Sequence, residues 1–112
     1  AAARKAVEQA GEVTEQLANL AVAYAEAGDR EAALPLMRRV QDRVTRDQGD
    51  AYYLAMIHAA LGDRDHAFQA LDLAVRRSSG MVNSIKIDDR LKPLRSDPRF
   101  PVLLRQLGLP VS

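Results

Sequence analysis

Apolar residues along this chain recur at steps of three and four rather than two. Leu17, Leu20, Ala21 and Tyr24 follow that spacing, and so do Leu54, Ala55, Met56 and Ile57 together with Ala51. This pattern predicts helices, not strands. The apolar stretches end at a repeated pair, Gly28-Asp29 and Gly62-Asp63. Glycine takes the left-handed conformation that closes a helix at little cost. An aspartate after it caps the next helix by accepting backbone N–H bonds, and its charge suits a helix N-terminus. The pattern predicts helices over about 14–27, 30–46, 51–61 and 64–77.

The two turns carry nearly the same phrase, GDREAAL from Gly28 and GDRDHAF from Gly62, 34 residues apart. Once they are aligned, the neighbours fall into step. Leu20 matches Leu54, Ala21 matches Ala55, Arg30 matches Arg64 and Ala33 matches Ala67, while Tyr24 falls on His58, Met37 on Leu71 and Val40 on Ala74. The small residues Ala33, Ala67 and Ala74 let neighbouring helices approach closely. A helix–turn–helix unit of this period, with a small residue after Leu, Gly at the turn and Ala five residues on, resembles the tetratricopeptide repeat. The resemblance covers Thr14 to Ser79 as two repeats. The chain departs from the family pattern at several points. Leu17 and Ala51 stand where an early aromatic is usual, His58 where Tyr is common, and Thr45 and Ser79 where Pro often closes the unit. Pro35 falls inside a predicted helix, where it removes one hydrogen bond at roughly 3 kcal/mol unless the helix kinks or starts late.

The flanks are less regular. Ala1–Ala10 reads as helical; Gly11 offers a stop that would make residues 1–12 a preceding helix, and the alternative is a helix that runs on into the one at Thr14. After Gly80, Met81–Ile87 reads as a short helix in the place of a third unit. Ser96-Asp97-Pro98 is a helix-start signal, Phe100, Leu103, Leu104 and Leu107 form an apolar stripe, and Gly108 ends it. The expected organisation is one all-α domain: residues 1–12, a first repeat over 14–46, a second over 48–79, and a degenerate third unit with a C-terminal cap over 80–112. AMIHAALGDRDHAFQALDLAV and LKPLRSDPRF resemble the C-terminal tetratricopeptide region of bacterial multidomain signalling proteins, where the repeats follow a winged-helix, cyclase or kinase domain. That resemblance gives the ending the role of sealing the open end of a helical stack. The start AAARKAVEQAG carries neither an initiating Met nor a signal-peptide stretch, so the chain reads as a piece cut from something longer, and the absence of Cys suits a cytoplasmic setting.

Composition narrows the chemistry. The 112 residues carry 16 Lys and Arg against 15 Asp and Glu, a formal net charge of +1. Such a balance argues against a nucleic-acid binder driven by a basic surface. Arg38, Arg39, Arg43 and Arg46 interleave with Asp42 and Asp47 and read as a solvated face. There is no Cys, hence no disulfide and no thiolate metal site. No apolar run reaches the length of a membrane span. His58 and His66 come from different helices with no third ligand at metal spacing; His58 reads as an inter-helix packing residue and His66 as solvent-facing. Asp63, Asp65 and Asp88-Asp89 lack the Gly-bearing loop and closing Glu of a calcium site. No phosphate loop or nucleophile elbow is present. The expectation is a non-enzymatic chain with no cofactor.

For the tetratricopeptide family, the resemblance implies a curved stack whose first helices line a concave side that grips a peptide or partner helix. Carried over by alignment, that side holds Glu15, Ala18, Asn19, Val22 and Glu26 from the first repeat, Tyr52, Met56 and Ala59 from the second, and Lys86 from the third short helix. Tyr52 and Met56 are the expected anchors, although packing against neighbouring helices accounts for them equally well. Ala18 and Val22 stand where the family's carboxylate clamp needs Lys or Asn, so no clamp is expected. The expected function is a protein or peptide interaction scaffold. The alternative is a structural spacer or a homodimerisation module that stacks through an unsealed N-terminal face.

Overall fold

In a computed structural model, residues 2–110 of the chain are described, with side chains from Val13 onward. Ala1, the expected start of the preceding helix, and residues 111–112 at the end of the cap unit lie outside the described residues. Five α-helices and two 3-10 helices follow in order: α1 (Ala2–Glu26), α2 (Arg30–Thr45), α3 (Ala51–Ala60), α4 (Arg64–Arg76), η1 (Gly80–Ser84), η2 (Asp89–Leu94) and α5 (Arg99–Gln106). The described residues contain no strand, so the fold is all-α.

The turns form as the Gly-Asp pairs require. Gly28 and Gly62 take φ of +83° and +80°. The amide of Asp29 donates to the Tyr24 carbonyl and that of Gly28 to Ala25; Asp63 and Gly62 repeat both bonds on His58 and Ala59. Together these bonds satisfy the last carbonyls of α1 and α3. The aspartates then start the next helices, Asp29 accepting from the Ala32 amide and Asp63 from the His66 amide. Two hairpins result, α1–α2 and α3–α4, with turns of equivalent conformation 34 residues apart. Ala33, Ala67 and Ala74 are buried where the helices meet.

Two expectations, the stop at Gly11 and the helix over Met81–Ile87, fail locally, whereas the helix expected over 30–46 forms through Pro35. The stop at Gly11 is not formed, because α1 runs unbroken from Ala2 to Glu26. A mid-helix glycine costs only about 1 kcal/mol relative to alanine, and the Ala, Glu, Gln, Lys and Arg around it are strong helix formers. Pro35 neither divides α2 nor delays its start; the helix forgoes one bond to the Glu31 carbonyl and continues. Met81–Ile87 is not an α-helix either, since its place is taken by the 3-10 turn of η1. The start at Asp97 does form, with Asp97 Oδ1 accepting from the Arg99 amide, and α5 closes at Gly108 with φ of +72°.

The core lies between the hairpins and under the C-terminal segment. α3 packs on α1, α2, α4 and η2, and eight of its ten residues are buried. Ile85, Leu91 and Leu94 are fully buried in the same cluster as Tyr52, Met56 and Ile57. Phe100, Leu103 and Leu104 of α5 complete it at the C-terminal end.

Candidate functional site

The first helices of the two hairpins do lie side by side, but their shared face is not open. The segment from Ile85 to Leu94 crosses it as a strap. It sends Leu91 and Leu94 into the core, three residues apart as the tight turn of η2 allows. The polar groups of the strap are tied down as well. Tyr52 Oη donates to Asp88 Oδ2 at 2.7 Å. Arg90 holds both oxygens of the same carboxylate, Nε to Oδ1 and Nη2 to Oδ2, each at 2.9 Å. Its Nη1 donates to Asn19 Oδ1 on α1 at 3.2 Å. Asp88 also caps η2 by accepting from the Arg90 amide. One carboxylate thus starts a helix, grips an arginine and fastens α3.

The electrostatics follow from this clasp. Burial raises the Tyr52 phenol far above its ordinary 10.0, and its bond to the Asp88 carboxylate raises it further. Burial alone would raise the Asp88 carboxyl. The hydrogen bonds from Arg90 and Tyr52 outweigh it and hold Asp88 below the usual range. A second clasp of the same kind starts α5. Arg99 donates Nε and Nη2 to Asp97 and Nη1 to Asp65 Oδ1, and its guanidinium lies 4.5 Å from the centre of the Phe68 ring. Its hydrogen bonds lower the Asp97 carboxyl to about 2. Both clasps are an Asp-x-Arg at a helix start, and neither was read from the sequence. The available signal was the spacing itself, Asp88-Asp89-Arg90 and Asp97-Pro98-Arg99.

The residues expected to line a groove divide in two. Ala18, Val22, Tyr52, Met56 and Ala59 are buried, Tyr52 at 1% and Met56 at 0% exposure. A side chain so covered cannot touch a partner, so these five are core residues and not a contact surface. Ala18 and Val22 lie on α1, which packs on α2 and α3, while η2 packs on α3, the helix that carries Tyr52, Met56 and Ala59. Glu15, Asn19 and Glu26 remain exposed along α1, and Lys86 is half-buried on the strap. Of these, Asn19 is engaged by Arg90. Glu26 borders a shallow cleft of about 370 Å³, lined also by Ala60, Asp89, Arg90, Lys92 and Pro93.

His58 is buried and His66 exposed. Their rings stack with centroids 5.2 Å apart, and His66 Nδ1 lies 2.6 Å from Asp63 Oδ2. Burial lowers the His58 imidazole below its usual 6.5, and the charge of His66 adds to that against the pull of Asp63. Among the described residues, no group of three or more His, Asp or Glu side chains is placed to hold a metal ion. None of the described helices is long and apolar enough to cross a membrane.

Among the described residues, large apolar side chains are exposed on α1, at Ile87 of the strap and at Val102 of α5. Leu20 is 47% exposed and Tyr24 37%. Their counterparts one repeat later, Leu54 and His58, are each 8% exposed. The same two rows are therefore covered on α3 and bare on α1. No protein-family model matches this sequence, and no curated protein or solved structure is detectably similar to it.

Proposed function

We propose that the chain is a non-catalytic protein-interaction module of the tetratricopeptide kind, a short superhelix that docks helical partners on the bare outer side of its first hairpin. Repeat stacks are quasi-one-dimensional, and each unit buries its open side against a neighbour. Among the described residues, α1 and α2 pack on α3 of the second hairpin, and Leu20 and Tyr24 on the first stay exposed. The observation that carries the reading is the contrast between Leu20 and Tyr24, exposed, and Leu54 and His58, buried at the equivalent positions. Large exposed side chains grouped on one helix face mark an interaction surface more than scattered ones do. A peptide in the concave groove is the less favoured reading, because its anchors Tyr52 and Met56 sit beneath the strap.

The setting implied by the resemblance, a larger bacterial regulatory protein, suits such a module. A partner hairpin there would sit on α1 as α1 and α2 sit on α3.

The test needs no knowledge of the natural partner. Residues 1–12 are replaced by an idealised helical hairpin joined to Val13 in the 34-residue register. The expected result is a higher melting temperature and protection of Tyr24 from nitration, read by mass spectrometry. A hairpin that folds yet leaves Tyr24 as reactive as before, with no gain in stability, overturns the reading.

A further inference from the structure

The two histidines of the chain meet at the turn of the second hairpin. His58, near the end of α3, is covered, and its ring stacks on that of His66 in the first turn of α4, with centroids 5.2 Å apart and planes 28° from parallel. His66 is exposed, and its Nδ1 lies 2.6 Å from Asp63 Oδ2. Asp63 in turn caps α4 through the His66 amide, and its own amide closes α3 on the His58 carbonyl. The stacked rings thus bear on the same few backbone bonds that end one helix and start the next. We propose that this pair is an acid-sensitive switch, in which a proton on His58 loosens the α3–α4 turn. The switch lies inside the second hairpin and does not depend on docking at Leu20 and Tyr24.

The argument is one of charge at close quarters. Asp63 is the one carboxylate that acts on His58 among the described residues. A proton on His66 is answered by that carboxylate at 2.6 Å. A second proton, on His58, sets two like charges ring against ring, one of them covered from water, with no further acid to answer it. The other elements packed on α3 supply none. α2 brings a cation, Arg30, whose Nη1 donates to the Leu61 carbonyl at 3.3 Å. Glu26 of α1 and Asp89, Arg90 and Lys92 of η2 border the cleft at Ala60, two residues past His58 and so on the opposite side of α3. Burial and the charge of His66 outweigh the pull of Asp63 and hold the His58 imidazole below its ordinary 6.5. The unfolded chain therefore takes this proton more readily than the folded one. The folded state keeps its full advantage above 6.5 and loses it as pH falls toward the lowered value. A charged His58 regains water by leaving its seat against His66, and the turn beneath the two rings gives way. The first hairpin carries no such pair, since Tyr24 and Ala32 stand at the equivalent positions and Asp29 caps Ala32 as Asp63 caps His66.

The chain has two His and no Cys, so these two are the side chains that ordinarily titrate between about pH 5 and 7.5. The test follows the intact chain over that range by amide hydrogen exchange, corrected for the intrinsic rate at each pH. Protection of the Asp63 and His66 amides should fall with pH, while that of the Asp29 and Ala32 amides in the first turn holds. Urea midpoints should fall over the same range in the wild type, stay level in His58→Gln and fall less in His66→Gln. A loss of packing in His58→Gln lowers its midpoint at every pH, whereas the slope against pH reads the proton. His58→Tyr, which writes the first repeat's residue into the second, repeats the measurement should His58→Gln not fold. A wild-type midpoint that is flat over the range, a slope kept in the His58 variant, or an equal loss of protection in the two turns overturns the proposal.

Discussion

At the scale of the residue, Tyr52 is the most informative side chain. Its ring fills the core under the strap and its hydroxyl meets the one carboxylate that also holds Arg90 and starts η2. Removing only the hydroxyl therefore loosens a tertiary latch without opening a cavity. Tyr52→Phe should lower unfolding stability by roughly 1.5–3 kcal/mol, the range for a hydrogen bond to a charged group, as read from urea midpoints. The latch also has a pH signature. An unfolded tyrosine ionises near 10.0, and the folded Tyr52 does so well above that. The folded state thus holds the proton more tightly, and its contribution is whole below pH 10 and lost as pH rises beyond it. Wild type should lose stability above pH 10 more steeply than Tyr52→Phe. Equal alkaline profiles for the two proteins would show that the hydroxyl is not the latch.

At the scale of the element, helix boundaries were legible because their causes are local. Gly28, Asp29, Gly62 and Asp63 fix where helices end and begin through backbone bonds spanning a few residues, and α2 through α4 fall within a residue of the expected limits. The other two hairpin helices end on the same bonds without glycine. Asp47 and Ser78 hold φ of +57° and +58° at the ends of α2 and α4, with the Gln48 and Ser79 amides reaching back to Arg43 and Ala74. A side chain in that region is strained by roughly 1–2 kcal/mol, less for Asp, whose short side chain tolerates it. Ser78→Gly should then raise stability by about 0.5–1 kcal/mol once the greater freedom of unfolded glycine is deducted, as measured by thermal unfolding. A loss of stability would mean that the Ser78 side chain makes up for its backbone strain. Local signals misled at Gly11, where helix propensity on both sides outweighs one poor residue. They were silent at η2, a tight six-residue turn with no period to recognise.

At the scale of the whole molecule, the strap decides what is surface and what is core. Ending the chain after Ser84 should uncover Tyr52, Met56 and Ile57 together. The expected products are retained far-UV helicity, a broadened melting transition and binding of a hydrophobic dye. A sharp, undiminished transition would show that the two hairpins need no cover. The order of the helices, their turns and the equivalence of Gly28 with Gly62 were determined by the sequence itself, because periodicity and caps act over neighbouring residues. Only the tertiary structure decided that Tyr52 and Met56 face inward while Leu20 and Tyr24 face out. All four are large apolar or aromatic residues on helices of similar pattern, so composition cannot rank them. Their exposure depends on what lies across from them, a contact closed by Asp88 with Tyr52 over 36 residues and by Arg90 with Asn19 over 71. Spacing along a chain carries no record of such a contact, because burial belongs to the pair of surfaces that meet and not to either segment alone.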